Sequence, residues 1–126
     1  MKRFIIAVSL IAFAIAFSIT SLLYINNTCD TLTTHLNESV ETALKKDTSQ
    51  TQKNLEKALV VWEKRDGFLN IILGQKETSG VKSYLTSALN FTLMGDTKTA
   101  VEHINWAKVE LARIKNANAP SISTIL

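Results

Sequence analysis

Phe4 to Ile25 contains no charged residue, and beyond it the apolar positions thin out to Cys29, Leu32, Leu36, Val40, Ala43 and Leu44, mostly three or four residues apart. That spacing puts them on one face of an α-helix, whose period is about 3.6 residues. No Gly precedes Gly67 and the only Pro is Pro120, so nothing interrupts the register between the apolar run and the stripe. One helix, or two nearly collinear ones, is expected from the run to Leu44. KKDTSQTQ then supplies a turn, with Asp47, Thr48 or Ser49 as N-cap of a second helix. Its stripe is Leu55, Ala58, Leu59, Trp62, Leu69, Ile72 and Leu73. Gly67 inside it costs about 1 kcal/mol relative to Ala and marks a place for a kink. Gly74 and Gly80 are expected to bracket a second turn.

A third stripe runs through Val81, Tyr84, Leu85, Ala88, Leu89 and Leu93. Gly95 suits a left-handed C-terminal cap, and Asp96 an N-cap for a fourth helix carrying Ala100, Val101, Ile104, Ala107, Leu111 and Ile114. That helix is expected to run out between Lys115 and Pro120, leaving a tail, SISTIL, apolar enough to pack back on the bundle. No alternating run long enough for a strand appears. Sliding the chain by 49 positions lays Leu32, Leu36, Val40, Leu44, Asp47, Leu55, Ala58 and Trp62 on Val81, Leu85, Leu89, Leu93, Asp96, Ile104, Ala107 and Leu111. Both halves read as helix, Asp-capped turn, helix. The expected fold is all-α: an N-terminal transmembrane helix followed by two helical hairpins that form an antiparallel four-helix bundle.

The run Phe4 to Ile25 has 22 residues, which at about 1.5 Å each gives roughly 33 Å, the hydrocarbon thickness of a bilayer. Lys2 and Arg3 precede it and the first charge after it is Asp30, so the positive-inside rule predicts a cytoplasmic N-terminus and an extracytoplasmic remainder. The expected division is residues 1–3 in the cytoplasm, 4–25 in the membrane, 26–116 in the bundle and 117–126 as tail. Ala12, Ala14 and Ala16 offer signal-peptidase-like sites, but cleavage there would leave a mature chain opening on more apolar sequence, and an uncleaved anchor is expected instead. Asn26, Asn27 and Thr28 stand where a lipid-attachment site at Cys29 would need Leu and small residues.

Charge narrows the function classes. Of 14 basic residues two precede the apolar run, leaving 12 against 11 acidic ones, interspersed along every polar segment. No basic face for nucleic acid is present in that pattern. A single Cys makes no internal disulfide. His35 and His103 fall on different helices and outside any HExxH or Glu-x-x-His pattern, and Glu102 points about 100° away from His103 on a helix. Catalytic residues, metal ligands and cofactor sites are therefore not expected, and neither is enzymatic activity. Cys29, with no partner Cys or adjacent cation, is expected to pack rather than react.

The anchor after Lys2 and Arg3, Trp62 in VVWEK, the Gly95-Asp96-x-x-x-Ala100 turn and a short apolar C-terminus resemble a family of small, clostridial-type, single-pass membrane proteins catalogued as a domain of unknown function. The resemblance covers nearly the whole chain. Members tend to finish in an Asn-Ile-Phe-like motif, where this chain has Thr124, Ile125 and Leu126. The resemblance implies a bacterial, extracytoplasmic helical domain and supplies no activity.

Candidate contact or ligand residues are Trp62, Arg65, Phe91, Trp106 and Arg113. Trp62 lies on its stripe and is expected in the core, whereas Trp106 stands one step off the Ile104, Ala107, Leu111 stripe and is expected to be partly exposed, either joining Phe91 and Phe68 in an apolar contact surface or covering the loop between the hairpins. The leading expectation is a non-enzymatic interaction or structural module of the bacterial cell envelope. Its partners would be the lipid bilayer and either another envelope protein or a second copy. The alternative is a four-helix domain sensing a small anion through Trp62, Arg65 and Arg113. With only Met1, Lys2 and Arg3 before the apolar run, such a sensor would signal through a partner.

Overall fold

Each apolar stripe becomes one helix in the computed structural model: α1 (Lys2–Leu44), α2 (Thr48–Leu73), α3 (Gln75–Leu93) and α4 (Thr97–Ile125). The structure describes residues 1–125, with side chains for all of these except 75–77 and 117–125. Consecutive helices joined by such short turns must run antiparallel. α1 packs on α2, α2 on α3, α3 on α4, and α4 back on α1, which closes a four-helix ring.

The core is the sum of the stripes. Leu32, Leu36, Leu55, Ala58, Trp62, Val81, Leu85, Ala88, Ile104, Ala107 and Leu111 are all buried, joined by Ile25, Cys29, Leu69 and Ile114 in one cluster. Each large aliphatic side chain taken fully out of water contributes about 1.5–3 kcal/mol. Three buried hydroxyls are satisfied within their own helices, Thr28 donating to the Tyr24 carbonyl at 2.8 Å, Ser39 to His35 at 2.9 Å and Thr92 to Ala88 at 2.8 Å, whereas Thr78 of α3 donates to Asn70 of α2 and Ser21 Oγ has no partner among the described residues. The α1 stripe is thus covered by the chain's own hairpins.

The two hairpins repeat each other in their turns as well as their stripes. In the first, the amides of Lys46 and Asp47 donate to the carbonyls of Ala43 and Thr42; in the second, those of Gly95 and Asp96 donate to Thr92 and Phe91, each group displaced by 49 residues. Lys46 (φ 61°) and Gly95 (φ 82°) both adopt the left-handed conformation. Among the non-glycine residues described, Lys46 alone does so, where its counterpart has the freedom of glycine. Asp47 accepts from the Gln50 amide and Asp96 from the Thr99 amide, both at 3.2 Å, so both expected caps form. Hydrogen bonds from Thr99, side chain foremost and then backbone, hold the Asp96 carboxyl below its ordinary value. A small cavity of about 10 Å³ between the two turns is lined by Ala43 and Thr92, Thr48 and Thr97, Thr51 and Ala100. Those are pairs related by the same offset, so the cavity lies where the halves meet.

Four expectations change. The α2–α3 turn is Gly74 alone (φ 89°, ψ 152°), and α3 begins at Gln75, so Gly80 is helical rather than the far side of a turn. A Cβ at Gly80 would meet nothing closer than Glu110 Oε2 at 3.9 Å, so glycine is not required there by close packing. Leu44 and Leu93, counted in the stripes, are exposed at the turns, where no facing helix remains to cover them. The expected boundary between residues 25 and 26 falls inside packed structure, since Ser21 and Ile25 of the apolar run are buried in the bundle. Finally, α4 continues to Ile125, past the expected run-out at residues 115–120. The expected docking of the tail falls on side chains outside the described residues.

α1 has 43 residues, which at about 1.5 Å per residue makes a rod of roughly 65 Å. Residues 2–20 of it are exposed, apolar from Phe4 onward, and the helix is long and apolar enough to cross a membrane. From Ser21 onward the same helix supplies the core.

α2 passes Gly67 without interruption, and a Cβ there would have nothing within 4 Å. Gly67→Ala is therefore expected to stabilise the bundle by about 0.5–1 kcal/mol, through the backbone entropy that glycine loses in a helix. Urea unfolding followed by circular dichroism checks this; a destabilised variant would mean that the helix is not regular at that point.

Candidate contact surface

Four rings gather on the outer face of the α3–α4 hairpin. Tyr84 and Phe91, seven residues apart, share one side of α3, and His103 and Trp106, three apart, share one side of α4. His103 lies at the centre, its ring centroid 5.1 Å from Phe91, 5.6 Å from Trp106 and 6.5 Å from Tyr84. Tyr84 meets Trp106 edge-on at 5.7 Å, a favoured arrangement of aromatic quadrupoles. Ala88 and Ala107, four residues on from Tyr84 and His103, are buried in the core. Nδ1 of His103 lies 2.9 Å from the Thr99 carbonyl, which only accepts, so Nδ1 is the donor of that bond. Trp106 remains 55% exposed, and Val109, three residues on, is 65% exposed. The face can offer flat apolar area with one ring nitrogen, which suits a protein contact.

The structure brings Phe91 and Trp106 into one cluster with His103 between them, whereas Phe68, expected beside them, lies on α2 against Phe17 and Tyr24 of α1. His103 had no such place in the one-helix stripe, because its role depends on the register between α3 and α4. The retrievable signal is the pairing of Tyr84-x6-Phe91 with His103-x2-Trp106 across the Asp96 turn.

The other three candidates stand apart. Trp62 is 1% exposed at the bundle centre, and its Nε1 has no hydrogen-bond partner among the described residues. Arg65 turns to α1, where Nη1 donates to Asn27 Oδ1 at 3.1 Å and to Thr28 Oγ1 at 3.0 Å, and its guanidinium lies 5.7 Å from the Tyr24 ring centroid. Arg113 pairs with Glu110 at 2.7 Å on α4, and that Glu faces Gly80 of α3. Arg65 thus bonds across to α1 and Arg113 along its own helix, while Trp62 is buried.

A shallow depression of about 450 Å³ on the α1–α2 side is lined by His35, Lys53, Glu56, Lys57, Val60 and Val61. His35 Nδ1 is buried there with no hydrogen-bond partner among the described residues. No three His, Cys, Asp or Glu side chains converge among the described residues as a metal shell would require.

Cys29 is buried, and desolvation, reinforced by the neighbouring Asp30 charge, pushes its thiol up to about 11. Since the thiolate is the reactive form, N-ethylmaleimide at neutral pH is expected to leave Cys29 unmodified in the folded chain and to modify it fully in denaturant. Mass spectrometry reads the difference, and rapid labelling of the native protein would show that this part of α1 opens.

Comparison of the chain with protein-family models, with curated proteins and with solved structures finds no match.

Proposed function

We propose that this chain is a non-enzymatic contact module of the bacterial cell envelope. Residues 4–25 anchor it in the membrane once, with the N-terminus in the cytoplasm, and the bundle meets another envelope protein or a second copy outside. The observation that carries this reading is the continuity of α1, whose exposed apolar segment becomes the core strut of the bundle with no linker between. Such a joint holds the bundle close to the bilayer in a fixed orientation, whereas a domain reaching for distant substrates needs a flexible spacer. Lys2 and Arg3 on one side and Asp30 on the other support the orientation.

The surface assigned to the contact is the Tyr84, Phe91, His103 and Trp106 face. Aromatic residues with a polar atom are enriched at the centres of protein interfaces, and Trp most of all. The alternative, a four-helix domain sensing a small anion through Trp62, Arg65 and Arg113, draws less support, since Trp62 is buried and Arg65 and Arg113 already bond to Asn27 and Thr28 and to Glu110.

A photo-crosslinking residue at position 106 in membranes of the native host tests the proposal, with position 56 as reference. A discrete adduct from 106 that is absent from 56 is the expected result. Equal, diffuse or absent labelling from both positions would remove the basis for a contact role.

A further inference from the structure

We propose that the end of the bundle holding the α2–α3 turn is itself a membrane-contacting surface, with Phe68, Ile71, Ile72 and Leu73 resting in the interfacial zone of the outer leaflet beside the anchor. This inference rests on the anchored reading above and adds a second lipid contact to it.

Level is the first argument. The Phe68 ring lies 6.4 Å from Phe17 and 4.9 Å from Tyr24, edge-on in both cases, so this end of the bundle sits beside residues 17 to 24 of α1. Those residues belong to the charge-free run that is expected in the bilayer. Phe17 is eight residues inside the outer end of that run, about 12 Å along the axis. Holding the bundle wholly in water would restrict the span to residues 4 to about 16, roughly 20 Å of helix against a hydrocarbon layer of about 30 Å. Sliding the helix inward to compensate has nothing apolar left to slide, since Lys2 and Arg3 precede Phe4. Lowering the base of the bundle into the interface removes the mismatch.

Charge is the second argument, and it comes from three separate stretches of sequence. α1 has no charged residue between Arg3 and Asp30, α2 none between Asp66 and its end at Leu73, and Asn116 to Leu126 none at all. The fold brings these three borders to one level. Lys115 Nζ lies 2.7 Å from Asp30 Oδ1, and Arg65 reaches Asn27 and Thr28 one turn below Asp30. Above that level the helices carry charges throughout; below it, α1 and α2 present Leu23, Tyr24, Phe68 and Ile71. Ile71 is 78% exposed and Leu23 63%, a state that water disfavours and acyl chains do not. Tyr24 with the Arg65 guanidinium over its ring is the pairing found at headgroup depth, where an aromatic ring and a long cationic side chain both meet water at one end. Lys76 and Glu77 in the first turn of α3 set the limit: the base reaches the headgroup and upper acyl region, not the hydrocarbon centre.

The test uses the full chain in vesicles of mixed phosphatidylcholine and phosphatidylglycerol. Single cysteines replace Ile71, Ile11 and Leu93, all exposed positions, and each carries an environment-sensitive nitrobenzoxadiazole label; buried Cys29 stays in place, with the unsubstituted chain as the labelling blank. Quenching is read with a doxyl group on a shallow acyl carbon and with aqueous iodide. Expected is doxyl quenching at position 71 several-fold stronger than at 93, with blue-shifted emission and protection from iodide. Position 93, an apolar residue at the opposite end, controls for insertion driven by the label itself. If position 11 is quenched by doxyl while 71 behaves like 93, the anchor stands and this inference falls. Shielding of 71 from both quenchers also overturns it, because a protein then covers the site. Absence of doxyl quenching at position 11 overturns the anchored reading, and this inference with it.

Discussion

Trp62→Ala is expected to cost the bundle about 3–5 kcal/mol, a large share of the 5–15 kcal/mol typical of a whole domain. Trp62 is the largest of the fully buried side chains and belongs to the cluster that joins Leu32 and Leu36 of α1, Leu85 of α3 and Leu111 of α4. Removing its ring opens a cavity in that cluster, and helices held by their own hairpin turns cannot close it fully. Trp62→Phe is the informative partner. It keeps most of the apolar volume and deletes an indole N–H that is buried without a hydrogen-bond partner among the described residues, whose desolvation costs about 1–3 kcal/mol. The Phe variant is therefore expected to lose far less than the Ala variant. Urea denaturation of both, followed by far-ultraviolet circular dichroism, reads the order. An Ala variant that unfolds at the wild-type midpoint would mean that Trp62 does not fill the core.

Arginine at both Ile11 and Ile15 is expected to abolish membrane insertion. Each Arg near the centre of a membrane helix costs about 2.5–3.5 kcal/mol on the insertion scale, so the pair costs about 5–7 kcal/mol. Both isoleucines are exposed, and bundle packing starts at Ser21, so the change leaves the core untouched. Alkaline carbonate extraction is expected to leave the wild-type chain in the membrane pellet and release the double variant in folded form. Release of both proteins alike would remove the anchor from the account.

The hairpins were legible because their determinants are local. Spacings of three and four residues mark each helix, and Asp47 and Asp96 stop and restart it within a few positions. The offset of 49 residues was legible in the stripes and in the two Asp caps; that Lys46 shares the left-handed conformation of Gly95 emerges only from the backbone. What escaped depends on partners. The boundary at Ile25 was drawn on hydropathy, which scores lipid and protein cores alike, so the burial of Ser21 and Ile25 against other helices could not be separated from residence in a bilayer. Leu44 and Leu93 continue a stripe past the point where a facing helix exists. Gly80 reads as a breaker until the packing of α3 on α2 and α4 is known, which outweighs a cost of about 1 kcal/mol for glycine in a helix, and His103 reads as a lone surface histidine until α3 brings Phe91 and Tyr84 against it.

The central claim is that α1 is a single rod running from the membrane into the bundle, and a pulsed electron-spin distance between labels at positions 11 and 44 in lipid vesicles tests it most directly. Both sites are exposed, and 33 residues of uninterrupted helix separate them by about 50 Å. One narrow distribution near that distance is the predicted result. A broad or markedly shorter distribution would show a hinge between membrane and bundle, and loss of the label at position 11 through cleavage would show that the apolar segment is not retained; either contradicts the account.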